Sequence, residues 1–139
     1  MENTTTTTAM SLFHHVGLFP TDLAATERLY TAALAPLGIV AGSLTDDGIE
    51  YWHRESDTPS FCLSRPDGPR AVSRGMHLAF TADSRAEVDA FHTAALAAGA
   101  TSRHAPRRWP EYRAYCAFVT DLDGNNVEAV FKEPAPEAG

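Results

Sequence analysis

Hydrophobic and polar positions repeat along this chain with two periods, and the periods change in the same order twice. Residues 12–19, LFHHVGLF, set His14, Val16 and Leu18 against Phe13, His15 and Gly17, the alternation of a strand. TDLAATERLYTAALAPLG then places Leu23, Tyr30 and Leu34 at helical spacing. Thr21 or Asp22 is positioned to cap its free N–H groups, and Pro36 and Gly38 end it. The second half opens the same way, with a strand over 75–81, GMHLAFT, and a helix over DSRAEVDAFHTAALAAGA. Ser84 and Glu87 have the spacing of a capping box. Val88, Phe91, Ala95 and Leu96 form the apolar stripe, and Gly99 closes the helix. Each helix is followed by strand-like runs: GIVAGSL, GIEYWHRE and SFCLSR in the first half, then a stretch from Ala100 to Arg103, RAYCAFVT and NNVEAVF in the second. Asp123-Gly124 marks a turn before the last of these. The pattern predicts an α+β fold of two βαβββ modules.

An offset of about sixty residues carries His15 onto His77 and the first helix onto the second, so the modules are an internal repeat. No Pro-, Gly- or Ser-rich linker divides them. One domain is therefore expected over 11–133, with modules at about 11–70 and 71–133, a disordered tail over 1–10 and a short C-terminal tail over 134–139. The formal charge of −7 argues against a nucleic-acid partner, which requires a basic face. MENTTTTTAM lacks the basic start and apolar core of a signal peptide, and no apolar run approaches the roughly 20 residues of a membrane span. Cys62 and Cys116 form no C-x-x-C pair and read as reduced thiols of a cytoplasmic protein.

Strand alternation also sorts the candidate chemistry. In GMHLAF, Met76, Leu78 and Phe80 share the greasier face and His77 lies on the other. In NNVEAVF, Val127, Ala129 and Phe131 oppose Glu128. His15, His77 and Glu128 thus all occupy the face turned away from the helices, beside the small residues Gly17, Gly75 and Ala79. Two imidazoles and a carboxylate are the donor set of a divalent metal centre with open positions, and a carboxylate in a half-buried strand needs a partner.

HHVGL at 14–18, LYTAALAPLG at 29–38, GMHLAF at 75–80, VDAFHTAALAAGA at 88–100 and DLDGNNVEAVF at 121–131 together resemble the vicinal oxygen chelate superfamily. This group includes glyoxalase I, extradiol dioxygenases, fosfomycin-resistance enzymes and bleomycin-resistance proteins. The resemblance implies two modules whose mixed sheets form a cup around one divalent metal (Fe2+, Mn2+, Zn2+ or Ni2+), with His15, His77 and Glu128 as ligands. It also implies a homodimer, and a lyase, isomerase or ring-cleaving dioxygenase acting on a small oxygenated substrate. The alternative it offers is a metal-free binding protein of the bleomycin-resistance type. In glyoxalase I a further Glu or Gln stands on the last strand of the first module, and here that position falls on Cys62. Extradiol dioxygenases carry a catalytic His near the position of Ser60 or Cys62, and none is present there.

Further candidates lie around this set. RHAPRRWPEYRAY, 103–115, concentrates arginine and aromatic residues in an otherwise acidic protein, and is expected as a loop at the rim. Arg107, Arg108, Trp109 and Tyr112, with Trp52 and Cys62, are its candidate substrate contacts, suited to an anionic or aromatic molecule. His53, whose ordinary pKa is near neutrality, is a candidate proton shuttle. Tyr115 is a candidate acid, and a displaced Glu128 a candidate base. His14 and His92 read as structural.

Overall fold

The computed structural model describes residues 11–135. The tail expected over 1–10 and the last residues of the C-terminal tail, 136–139, lie outside the described residues. The first module runs β1 (His15–Leu18), α1 (Leu23–Leu34), β2 (Ile39–Thr45), β3 (Gly48–His53) and β4 (Ser60–Ser64). The second runs β5 (His77–Thr81), α2 (Arg85–Ala97), β6 (Thr101–Trp109), β7 (Ala114–Thr120) and β8 (Asn126–Lys132). Each module folds into a four-stranded mixed sheet, in the orders β1-β4-β3-β2 and β5-β8-β7-β6. This is the expected α+β plan.

The helices begin and end where local chemistry dictates. Asp22 caps α1 by accepting from Ala25 N, and Ser84 caps α2 by accepting from Glu87 N. The Glu87 carboxylate reaches back to Asp83 N and completes a box. After α1, Pro36 sits in a 3₁₀ turn, and Gly38 reverses the chain in the left-handed region at φ 78°.

Each sheet packs one face on its own helix, and the two helices pack on each other. Leu18, Tyr51, Phe61 and Leu63 from the first sheet share a core with Val119, Val127 and Ala129 from the second. Phe61 and Phe80 meet edge to face at 5.2 Å across the module boundary. A polar hub also joins the modules: the Tyr30 hydroxyl donates to Asp121 Oδ2 at 2.7 Å, and Asp121 further accepts from Asp123 N, Asn125 N and Asn125 Nδ2.

Most of the segment expected as a rim loop, 103–109, instead belongs to strand β6, an edge strand of nine residues with register shifts between Ser102 and Arg107; the rest is a 3₁₀ turn and the start of β7. Pro106 and the arginines hid it from pattern reading. An edge strand tolerates a proline because its outer N–H has no ladder partner. Among the described residues no helix is long and apolar enough to cross a membrane.

Candidate functional site

The opposite face of each sheet is open, and strand register fixes what it carries. In the first sheet His15 stands opposite Ser60 and Gly17 opposite Cys62. In the second His77 stands opposite Asn126 and Ala79 opposite Glu128. His15 and His77 are therefore structural mates, as are Cys62 and Glu128. The position equivalent to Glu128 in the first module is a thiol.

On the second sheet, His77 Nε2 lies 2.8 Å from Glu128 Oε1. The histidine is exposed, while Glu128 is only 8% exposed. With a carboxylate accepting, Nε2 carries the proton of this contact. Cys116 adjoins the same carboxylate, and burial together with Glu128 pushes its thiol up to about 12. The side-chain oxygen of Asn126, across from His77, is buried without a hydrogen-bond partner among the described residues. Phe118 lies opposite Glu128 and gathers His77, His104 and Trp109, with ring centroids 5.3 to 6.1 Å away. The Arg107 guanidinium stacks 3.4 Å above the Trp109 ring, whose buried indole N–H has no hydrogen-bond partner among the described residues.

On the first sheet, His15 is exposed and its Nδ1 lies 3.0 Å from Nδ1 of His14. Beyond Ser60, Glu50 stands opposite Cys62, and the Ser60 hydroxyl donates to Glu50 Oε2 at 2.6 Å. Burial, with the Glu50 carboxylate beside it, raises the Cys62 thiol above its ordinary value. Glu50, Cys62, Ser64 and Arg65, together with Asp47 and Asp67, line an open cavity of about 650 Å³. Trp52 shares this face and lies so close over Gly42 that a Cβ there would collide with the indole ring.

One chain does not bring His15, His77 and Glu128 together. Among the described residues no three His, Cys, Asp or Glu side chains converge to hold a metal ion. The donor types fit such an ion, and the orphaned Asn126 oxygen shows that the second sheet's face is polar and incompletely satisfied. Two of the three donors are already adjacent, and the third projects from the equivalent strand of the other sheet.

Three expectations are corrected in position. His53 follows the buried Tyr51 at strand period and packs over Gly38, on the helix side of β3 rather than in the trough. Tyr115 also faces its helix, donating to Asp89 Oδ1 at 2.8 Å, and this bond raises its pKa. Arg108 stands opposite Tyr115 and turns to Glu133, 3.4 Å away. Of the remaining rim residues, Arg107 and Trp109 reach the open face, and Tyr112 is exposed on the 3₁₀ turn after β6. Sequence reading missed Glu50, Cys116, Phe118 and Asn126 as site residues and left the role of His104 in the rim segment open; the alternation of GIEYWH was the one available signal for Glu50.

Residues 12–129 match the Glyoxalase/Bleomycin resistance protein/Dioxygenase superfamily. A glyoxalase/bleomycin resistance protein from Albidiferax ferrireducens is 31% identical, with a TM-score of 0.76, over 87% of this chain and 98% of that one. A lactoylglutathione lyase from Agrobacterium tumefaciens is 26% identical, with a TM-score of 0.61, over 89% of this chain and 96% of that one. An antibiotic binding protein from a Streptomyces species shares the fold at 18% identity, with a TM-score of 0.64, over 91% of this chain and 99% of that one. No curated protein matches the sequence.

Proposed function

Because the chain belongs to the Glyoxalase/Bleomycin resistance protein/Dioxygenase superfamily, we propose that it is a metal-dependent enzyme acting on a small oxygenated substrate, with its site completed by a second copy of the chain. The observation that carries this reading is the His77–Glu128 pair at 2.8 Å on an open sheet face, with His15 at the equivalent register of the other sheet. A single chain leaves these donors apart, and a homodimer that sets the first sheet of one copy against the second sheet of the other unites them. Charge favours that pairing. The cavity face of the first sheet carries Glu50, Asp47 and Asp67, and the open face of the second carries Arg107 beside Trp109.

In this arrangement His15, His77 and Glu128 would hold one divalent cation, which would supply Lewis acidity to an oxygenated substrate. The protein's own groups do the rest. Arg107 and Trp109 orient an anionic or aromatic part of the substrate, and the ring of Phe118 supplies an apolar floor beside them. Glu128, once displaced from His77, is a base at the reacting carbon. Lyase, isomerase and ring-cleaving chemistry share this platform.

The test is metal analysis of tag-free protein alongside His15→Ala and His77→Ala. About one metal per site in the parent, lost in both variants, is expected. Mixing the two variants after mild dissociation should restore about a quarter of the metal, because random re-pairing makes half of the dimers hybrids and one of the two sites in each hybrid regains all three donors. Metal retained in either variant refutes the ligand set, and absence of restoration refutes the shared site. A metal-free binding protein is the second reading, favoured by the unpaired Trp109 N–H and the aromatic patch around it. Tight binding of an aromatic anion by metal-free protein supports it.

A further inference from the structure

The first module lacks a carboxylate at the position equivalent to Glu128, yet its open face is not without one. Glu50 sits one strand over, directly opposite Cys62, and the Ser60 hydroxyl fixes its Oε2 at 2.6 Å. Ser60 in turn stands opposite His15 and reaches diagonally to Glu50, so the three share one face across β1, β4 and β3. The hydrogen bond to Ser60 holds one carboxylate oxygen, and the Cys62 thiol adjoins the same carboxylate. Glu50 and Cys62 both line the cavity of about 650 Å³. The one basic side chain of that lining, Arg65, spends its Nε on the Asp46 carbonyl.

We propose that Glu50 is the specificity residue of this half of the pocket: a carboxylate moved from β4 to β3 that admits a cationic or hydrogen-bond-donating group and rejects an anionic one. The substrate then has a polarity. Its donor end faces the first sheet, and its anionic or aromatic end faces Arg107 and Trp109. This rests on the proposed function in taking the first sheet's open face as ligand-facing and, for the polarity of the substrate, on the site shared between two copies; it does not depend on metal.

Cys62 on the cavity lining reports the charge directly. The full chain, treated with chelator, is reacted with three disulfides: cystamine, a dication; dithiodipyridine, which is neutral; and dithiobis(nitrobenzoate), a dianion. The ratio of rates cancels the fraction of thiolate, which is common to all three reagents. Glu50→Gln is expected to lower the cystamine-to-dianion ratio by roughly fivefold to tenfold. Glu50→Asp, which keeps the charge, should stay near the parent ratio. Asp47→Asn should move it less than Glu50→Gln does. Cys62→Ser should abolish the reaction. An unchanged ratio in folded Glu50→Gln, an equal effect of Asp47→Asn, or labelling that persists in Cys62→Ser overturns the inference. Loss of metal binding by the parent protein, measured separately, would sink the metal reading and leave these ratios fully interpretable.

Discussion

Replacing Tyr30 with phenylalanine isolates the hub that joins the two modules. The Tyr30 hydroxyl, on a residue 1% exposed, donates to Asp121 Oδ2 at 2.7 Å. Burial first, and then the Asp121 charge, hold the phenol in its protonated form well beyond any working pH, so the bond is a neutral donor on a carboxylate. The substitution keeps the ring and its 5.0 Å contact with Phe61, so no cavity opens. Asp121 Oδ2 keeps its bond from Asn125 Nδ2 at 3.0 Å and is not orphaned. The loss is therefore one hydrogen bond to a charged acceptor, about 2 kcal/mol. With a urea m-value of about 2 kcal/mol/M for a chain of this size, the midpoint should fall by about 1 M with m unchanged. A midpoint within about 0.2 M of the parent would show that the Tyr30–Asp121 contact adds nothing to stability. A drop in m would show instead that the modules unfold separately without it.

Other outcomes follow from single contacts. Gly48→Ala would drive a Cβ into the Leu63 carbonyl oxygen, a backbone atom that cannot yield cheaply, and should destabilise by about 2 kcal/mol or more in thermal or urea melts. Cys116, 2% exposed and with its thiol pushed up to about 12, should resist thiol reagents at neutral pH until denaturant is added, while Cys62 reacts slowly in the native state. Burial lowers the pKa of His92, so the unfolded chain binds the more protons. The stability this residue contributes is present above its unfolded value near 6.5 and is lost as pH falls through its lower folded value. His92→Gln should flatten that part of the stability profile in melts taken across about pH 5 to 7.

The element plan was legible because period and capping agree at each step: Asp22 and Ser84 start helices where the strand pattern stops, and Gly38 and Gly99 end them. The matching register of β1 with β4 and of β5 with β8 follows from the repeat that aligns His15 with His77. What the sequence withheld was cross-strand register. Glu50 is unremarked in GIEYWH until β3 is set against β4 and brings it to Cys62 and Ser60. His53 and Tyr115 looked available because each lies in a strand near the candidate ligands. Tyr51 and Ala117, both fully buried, show by parity that these side chains point to the helices. β6 failed on composition: its arginines and Pro106 read as loop, and only its place at the sheet edge reconciles them with a strand.

The two edges of the second sheet are unequal in a way that governs misassembly. β6 presents arginines, a proline and register shifts, the features that deny a foreign strand a ladder to join. β5, HLAFT, and its mate β1, HVGL, are edges too, and neither holds a lysine, an arginine, an acidic residue or a proline. At high concentration, or after partial unfolding, strand addition and fibre growth should begin at β1 or β5. A single lysine in place of the exposed Ala79 is the smallest change that would guard one of these edges.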